Sequence, residues 1–324
     1  LYVALQAGFP PGQIHFHGNN KSRAELAMAL DASVGRVVVD NAHELEMLER
    51  LASERGRTVA VWLRLSPDVD VHTHEYRKTG LLDSKFGFPI ATGAAQGALV
   101  RALQSPYLEP VGQHAHLGTQ VLDTEPFALA AGRLEEFAAS MRTEYGFELR
   151  ELSPGGGWGI AHTEADPSVD MEPYVETVCR SVLEGCPDHR LPLPELILEP
   201  GRSLVGPAGV ALYRAGARKE IPGLRTYVSV DGGLADNIRP ALYGARYTAL
   251  VDGKAHRPAE ETVTVAGKFC ESGDLLIRDL DLPRLEAGDL LAVPAAGAYA
   301  LALASNYNLA TRPAVILVKE GQAR

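Results

Sequence analysis

The sequence predicts an α/β protein, a (β/α)8 TIM-type barrel whose first two units lie outside this chain, followed by a mostly β C-terminal domain. Three observations carry that expectation. From Ile14 to Glu199 short apolar runs alternate with capped helical segments, the pattern of parallel βα units. Residues capable of chemistry recur just past these runs, as they do on the active-site face of a barrel. After about Val205 the pattern changes to β-rich segments separated by turns. The expected division is a barrel over 1–207 and a β domain over 208–324.

The elements follow in order. Leu1-Tyr2-Val3-Ala4-Leu5 reads as the last turns of a helix, closed by Gly8 at the left-handed position beyond the C-cap and by Pro10-Pro11. Strands are expected at Ile14–His17, Val37–Asp40, Val59–Leu65, Gly112–Leu117, Leu149–Leu152 and Glu195–Glu199. Ser22 with Glu25, and Asn41 with Glu44, have the spacing of a capping box at a helix start. Leu45, Leu48 and Leu51 then give the second of these helices its apolar face. These units fall short of the eight strands and ~250 residues of a complete barrel. With no initiator Met and a start inside a helix, two further units are expected upstream. Beyond the barrel, strands are expected at Thr226–Asp231, Thr262–Ala266, Leu290–Val293 and Ala314–Val318.

Composition narrows the function. The 324 residues are 46% hydrophobic and 22% charged, an ordinary globular balance rather than a disordered one. A formal net charge of −10 argues against nucleic acid or an anionic membrane as the main partner, because phosphate binding needs clustered Lys and Arg. A small-molecule substrate fits better. The 3 cysteines, Cys179, Cys186 and Cys270, cannot build a disulfide framework, and no apolar run approaches the roughly 18 residues of a membrane span. Cytoplasm is the default compartment.

Several residue groups carry chemistry. Gly155-Gly156-Gly157 lets backbone approach an anion and aims amide groups at it, although a glycine run also marks a tight turn. Glu199 follows Leu196-Ile197-Leu198, so its carboxylate is expected to emerge from a buried strand, where it must face either a positively charged group or Arg202 as a structural ion pair. Asp40 and Arg64 read equally well as ordinary polar turn residues. The pairs His15/His17, His72/His74 and His114/His116 place two rings on one strand face, which a metal-dependent barrel hydrolase would use. That reading leaves the triple glycine and Cys270-Glu271-Ser272-Gly273-Asp274 without a role, and no metal ligand set is assigned. Cys270 itself is either an inert thiol or, beside so many carboxylates, a proton donor rather than a nucleophile.

The sequences HFHGNNKS at 15–22, SKFGF at 84–88, His114-Ala115-His116-Leu117-Gly118-Thr119, VDGGLADNIRPALY at 230–243, CESGD at 270–274, Gly297-Ala298-Tyr299 and SNYN at 305–308 together resemble the diaminopimelate decarboxylases. These are pyridoxal-phosphate enzymes of the alanine-racemase-like fold, and the likeness runs from about Gly8 to Lys319. It implies pyridoxal 5'-phosphate as cofactor, meso-2,6-diaminopimelate as substrate, and L-lysine and carbon dioxide as products. By the same resemblance His116 lies against the cofactor ring and Glu199 faces its pyridine nitrogen. Thr119, Gly155, Gly156, Gly157, Pro200, Gly201, Arg202 and Tyr299 complete the cofactor's surroundings. Arg239 with Arg202 reads the distal carboxylate of the substrate, Glu271 takes the distal ammonium, and Tyr243 and Tyr299 finish the pocket. Cys270 returns a proton after carbon dioxide leaves, in the site of a partner subunit, so a homodimer with shared sites is implied.

One element of the family pattern is not found. The lysine that holds the cofactor covalently stands at the end of the first barrel strand in this family, and none of Lys21, Lys78, Lys85, Lys219, Lys254, Lys268 and Lys319 has that setting. The chain by itself is therefore expected not to decarboxylate. A decarboxylase of another basic amino acid, and a lysine-free binding or regulatory homologue, stay open as alternatives at this point.

Overall fold

The computed structural model describes residues 1–70, 80, 83–167 and 169–324. The described chain forms two compact units, one of Leu1–Trp158 with Asp170–Pro200 and the other of Gly159–Val169 with Gly201–Arg324. His72, His74 and Lys78 lie outside the described residues.

The first unit begins with helix α1 (Tyr2–Gln6), ended by Gly8 at φ +82°. Strand β1 (His15–Phe16), helix α2 (Arg23–Ala32), β2 (Arg36–Val39), α3 (Ala42–Glu54), β3 (Val59–Ser66), β4 (Phe88–Pro89), α4 (Ala94–Gln104), β5 (Leu108–His114), α5 (Glu125–Tyr145), β6 (Glu151–Gly156), α6 (Glu172–Asp188) and β7 (Glu195–Glu199) then alternate. All strand pairs are parallel, in the order β1-β2-β3-β5-β6-β7, with β4 paired to β3 off that path. Each of the six strands expected in this part is present, Glu195–Glu199 with the expected ends and the other five with shifted ones; β4, only two residues long, has no sequence signal.

Local chemistry explains the helix starts. At Ser22 the capping box is complete, its hydroxyl accepting from the Glu25 amide while the Glu25 carboxylate returns to the Ser22 amide at 2.8 Å. The expected second box is only half made. Asn41 Oδ1 does accept from the Glu44 amide at 3.0 Å, but the Glu44 side chain turns inward to Lys21, with Nζ and Oε1 2.6 Å apart and both side chains 2% exposed. Lys21 also donates to the carbonyls of Gly18 and Val38 at 2.7 Å each, so its three donors are used. A buried lysine with no partner would cost far more than a helix loses by giving up one cap. Leu45, Leu48 and Leu51 are buried as the periodicity requires, together with Val37, Val61 and Leu63 of the sheet.

The second unit contains the short helix α7 (Arg202–Val205), strands β8 (Ala211–Ile221) and β9 (Arg225–Val230), helix α8 (Arg239–Tyr243), then β10 (Leu250–Val251), β11 (Glu261–Ala266), β12 (Leu275–Leu282), β13 (Leu290–Val293), β14 (Val318–Lys319) and β15 (Gln322–Ala323). A six-stranded sheet runs β10-β13-β8-β9-β11-β12 around a core of Tyr213, Val228, Val230, Tyr247, Val263 and Leu291. The strand expected at Ala314–Val318 is not formed as such: only Val318–Lys319 is strand, hairpinned to Gln322–Ala323, and Val315, Ile316 and Leu317 are 63–69% exposed. β-branched composition favours a strand only where an edge is available to pair with. No described helix is long and apolar enough to cross a membrane.

Candidate functional site

In the first unit the sheet register sets the site. His114 pairs with Ser153, and Gly156 pairs with Glu199, so the C-terminal ends of β5, β6 and β7 bring these residues to one level. The sheet is also curled. β1 and β7 stand at opposite ends of the strand order, yet His17 Nε2, just past β1, lies 3.2 Å from Glu199 Oε1. His114 Nε2 lies 3.2 Å from Glu199 Oε2, and Ser153 Oγ is 3.4 Å from Oε1. Each carboxylate oxygen thus has its own imidazole, and the two rings meet edge to face with centroids 4.8 Å apart.

Burial works to raise the pKa of Glu199, but the hydrogen bonds and charge of His114 and His17 outweigh it and hold the carboxyl well below the usual carboxylate range. The expectation that Glu199 leaves a fully buried strand is corrected. β7 is half-buried because it is the last strand of the sheet order, and the Glu199 side chain is 27% exposed. His116 follows two residues after His114, and burial pushes its pKa down to about 4, so its ring is neutral at physiological pH.

The glycine run serves close packing of the strands. A Cβ on Gly156 would sit 1.9 Å from the Glu199 carbonyl oxygen, and one on Gly157, at φ +94°, 1.9 Å from that of Gly118. Gly155 at φ +80° would meet the Ala115 oxygen at 2.4 Å. Close strand approach therefore demands glycine here. The expectation of several amides aimed at an anion is narrowed, because the Gly155 amide donates to Ser153 Oγ at 3.2 Å and that of Gly156 faces His116 Nδ1 at 3.5 Å. Thr119 is half-buried in the segment after β5. The SKFGF segment serves Asp40 and Arg64, which lie 3.5 Å apart: Phe86 lies under the Arg64 guanidinium at 4.4 Å, and the Gly87 amide donates to Asp40 at 3.2 Å.

In the second unit Arg202 is buried, 5% exposed, with its guanidinium 4.6 Å from the ring of Tyr299. Tyr299 has φ +60°, strained for a bulky residue, and is 45% exposed. Arg239 is 1% exposed. Its Nη1 is 3.0 Å from His162 Nε2 and also bonds the Tyr247 hydroxyl. Among the described residues no carboxylate lies within ion-pair distance of Arg239, so the surface ion pair common in an acidic chain is not its role. Tyr243 closes α8, four residues on.

The CESGD segment divides in two. Asp274, 3% exposed, accepts from the amides of Leu234 and Phe269 at 2.6 and 2.9 Å and so folds the loop on itself. Cys270 and Glu271 are exposed. Asn308 Nδ2 contacts Cys270 Sγ at 3.4 Å and the Tyr307 hydroxyl donates to Glu271. The SNYN motif thereby gains a place beside CESGD.

Sequence reasoning missed His17 and His114 as partners of one carboxylate, having paired histidines along strands rather than across them. It also missed His162 and Tyr247. His162 lies 77 positions from Arg239 and has no local signal.

Comparison with known proteins agrees with this geometry. Residues 1–206 match the family described as pyridoxal-dependent decarboxylase, pyridoxal binding domain. The diaminopimelate decarboxylase of Bacillus subtilis strain 168 is 48% identical over 323 residues, covering 100% of this chain and 74% of that protein. A diaminopimelate decarboxylase from M. jannaschii, solved with L-lysine, superposes with a TM-score of 0.91 at 34% identity, over 99% of this chain and 73% of that one. The Helicobacter pylori enzyme, also solved with L-lysine, gives 0.89 at 31% identity, over 99% of this chain and 77% of that one. A curled parallel sheet ending in Glu199, His114 and a triple glycine, together with these matches, makes the chain a member of the pyridoxal-dependent decarboxylases.

Proposed function

We propose that this chain forms the cofactor- and substrate-binding parts of a diaminopimelate decarboxylase, which converts meso-2,6-diaminopimelate to L-lysine and carbon dioxide with pyridoxal phosphate. Likeness at 48% identity over the whole chain supports the activity. The observation that carries the choice of substrate is Arg239, a guanidinium 1% exposed whose side-chain partners, His162 and Tyr247, include no carboxylate. A buried cation with no carboxylate within ion-pair distance among the described residues calls for an anionic ligand, and the planar fork of arginine suits a carboxylate.

The residues present fit pyridoxal phosphate. An ionised Glu199, held by an imidazole at each carboxylate oxygen, suits a protonated pyridine nitrogen, and a neutral His116 offers a flat ring rather than a competing charge. When bound, the cofactor supplies a ring that accepts the electron pair left as carbon dioxide departs. Glu199 holds the proton at the pyridine nitrogen, and His17 and His114 hold Glu199. Gly155, Gly156, Gly157, Thr119, Pro200 and Gly201 border the cofactor. Arg202 and Arg239 orient the substrate by its distal carboxylate, Glu271 takes the distal ammonium, and Tyr243 and Tyr299 complete the enclosure. Cys270 Sγ gives its proton to the carbon that lost carbon dioxide. Its exposure on the single chain supports service in the site of a second copy, hence a homodimer with shared sites.

The test is lysine formation from meso-diaminopimelate by the purified full-length protein. Arg239→Ala removes a charge-assisted contact, and efficiency on diaminopimelate should fall roughly tenfold to a few hundredfold. Intact diaminopimelate turnover in that variant, or ornithine as the better substrate of the wild type, would refute the substrate assignment.

A further inference from the structure

His162 lies on the short segment Gly159–Val169, which belongs to the second unit, and is 7% exposed. The segment is fixed locally: the Asp166 carboxylate accepts from the amides of His162 and Thr163 at 2.9 and 2.8 Å. His162 Nδ1 stands 3.2 Å from the Ile160 carbonyl oxygen. A carbonyl only accepts, so Nδ1 carries the proton and Nε2 presents a lone pair. That lone pair meets Arg239 Nη1 at 3.0 Å. Burial, reinforced by the positive charges of Arg239 and Arg202, pushes the His162 pKa down to about 4, which keeps the ring neutral. The Tyr247 ring packs edge to face against the imidazole at 5.3 Å, while its hydroxyl accepts from the same Arg239 nitrogen.

We propose that His162 is a positioning residue for substrate selection: through Nε2 it fixes the plane of the Arg239 guanidinium without cancelling its charge. The idea rests on Arg239 reading the distal carboxylate. A glutamate or aspartate in place of His162 would satisfy the same N–H but neutralise the cation and compete with the substrate. A neutral acceptor locked in one tautomer orients the fork and leaves the charge available.

The experiment compares His162→Leu, which has no acceptor, with His162→Gln, which keeps one, and with Arg239→Ala, all as full-length holoenzymes. D-lysine serves as a competitive inhibitor that has the reacting D-centre and distal amine but lacks the distal carboxylate. His162→Leu should raise KM for diaminopimelate roughly tenfold, with kcat within about threefold and the D-lysine inhibition constant unchanged. His162→Gln should remain within about threefold of wild type in KM. Should the leucine variant fail to fold, His162→Asn, too short to reach Arg239, carries the same expectations. An unchanged KM, or an equal rise in KM and in the D-lysine constant, overturns the positioning role while Arg239→Ala still shows its selective loss. If Arg239→Ala leaves KM for diaminopimelate unchanged, the reading of Arg239 falls first, and the role of His162 with it.

Discussion

His17, just past the first strand of one parallel sheet, and Glu199, the final residue of its last strand, are 182 positions apart in the chain, and their side chains meet at 3.2 Å. The sheet has curled until its ends approach, and the contact it makes is chemical as well as structural. His17 and His114 each donate to a different oxygen of Glu199. The carboxylate is thereby aimed and kept ionised.

Glu199→Gln tests that role with little change of shape. Glutamine cannot hold a proton on a pyridine nitrogen, so kcat should fall roughly a hundredfold or more while the fold is kept. Steady-state rates beside a thermal melt decide it, and a variant with near wild-type kcat would remove Glu199 from the proposed chemistry.

The glycines separate packing from binding. Gly156→Ala drives a Cβ to 1.9 Å from the Glu199 backbone oxygen and should cost about 2–4 kcal/mol of stability. Gly201→Ala meets nothing within 4 Å and should change stability by less than about 0.5 kcal/mol. Urea midpoints measure both. Equal destabilisation by the two would show that the close approach seen at Gly156 is not what its glycine serves.

Glu135, on α5, is 1% exposed, and its Oε1 has no hydrogen-bond partner among the described residues. Burial, with a smaller contribution from Glu136, pushes its pKa up to about 7 from 4.5. A folded pKa above the unfolded one means that the fold takes up a proton, so stability is fully present below about pH 4.5 and is lost as pH rises through about 7. Glu135→Gln should be more stable than wild type by about 2–3 kcal/mol at pH 8, the gap closing toward pH 4.5. Denaturation at both pH values checks the sign; a gap independent of pH contradicts it.

Complementation tests the shared site. In the full-length protein Glu199→Ala and Cys270→Ala should each be nearly inactive, yet mixing and re-equilibrating them should restore about one quarter of wild-type activity per site. About half of the dimers are then mixed, and in each of these one site has both residues intact. If Cys270 served its own chain, every site would keep a defect and mixing would recover nothing.

The parallel alternation over Ile14–Glu199, the helix starts at Ser22 and Asn41 and the buried Leu45, Leu48 and Leu51 were legible in the sequence, because periodicity and capping are local: they depend on neighbours three or four residues away. The motifs carrying Glu199, Arg239 and Cys270 were legible for a related reason, each being a run of adjacent unusual residues. Only the tertiary structure decided which side chains meet. It turned Glu44 from a cap toward Lys21, took His17 and His114 out of their strand pairs to share one carboxylate, and set His162 against Arg239. Such contacts arise from sheet curl and burial, where an unpaired charge costs several kcal/mol and must find whatever partner the fold brings near. That search runs through space, and spacing along the chain does not record it. For the same reason the apolar run Val315–Leu317 reads as a strand yet forms none among the described residues, since a strand needs an edge that the chain must fold to provide.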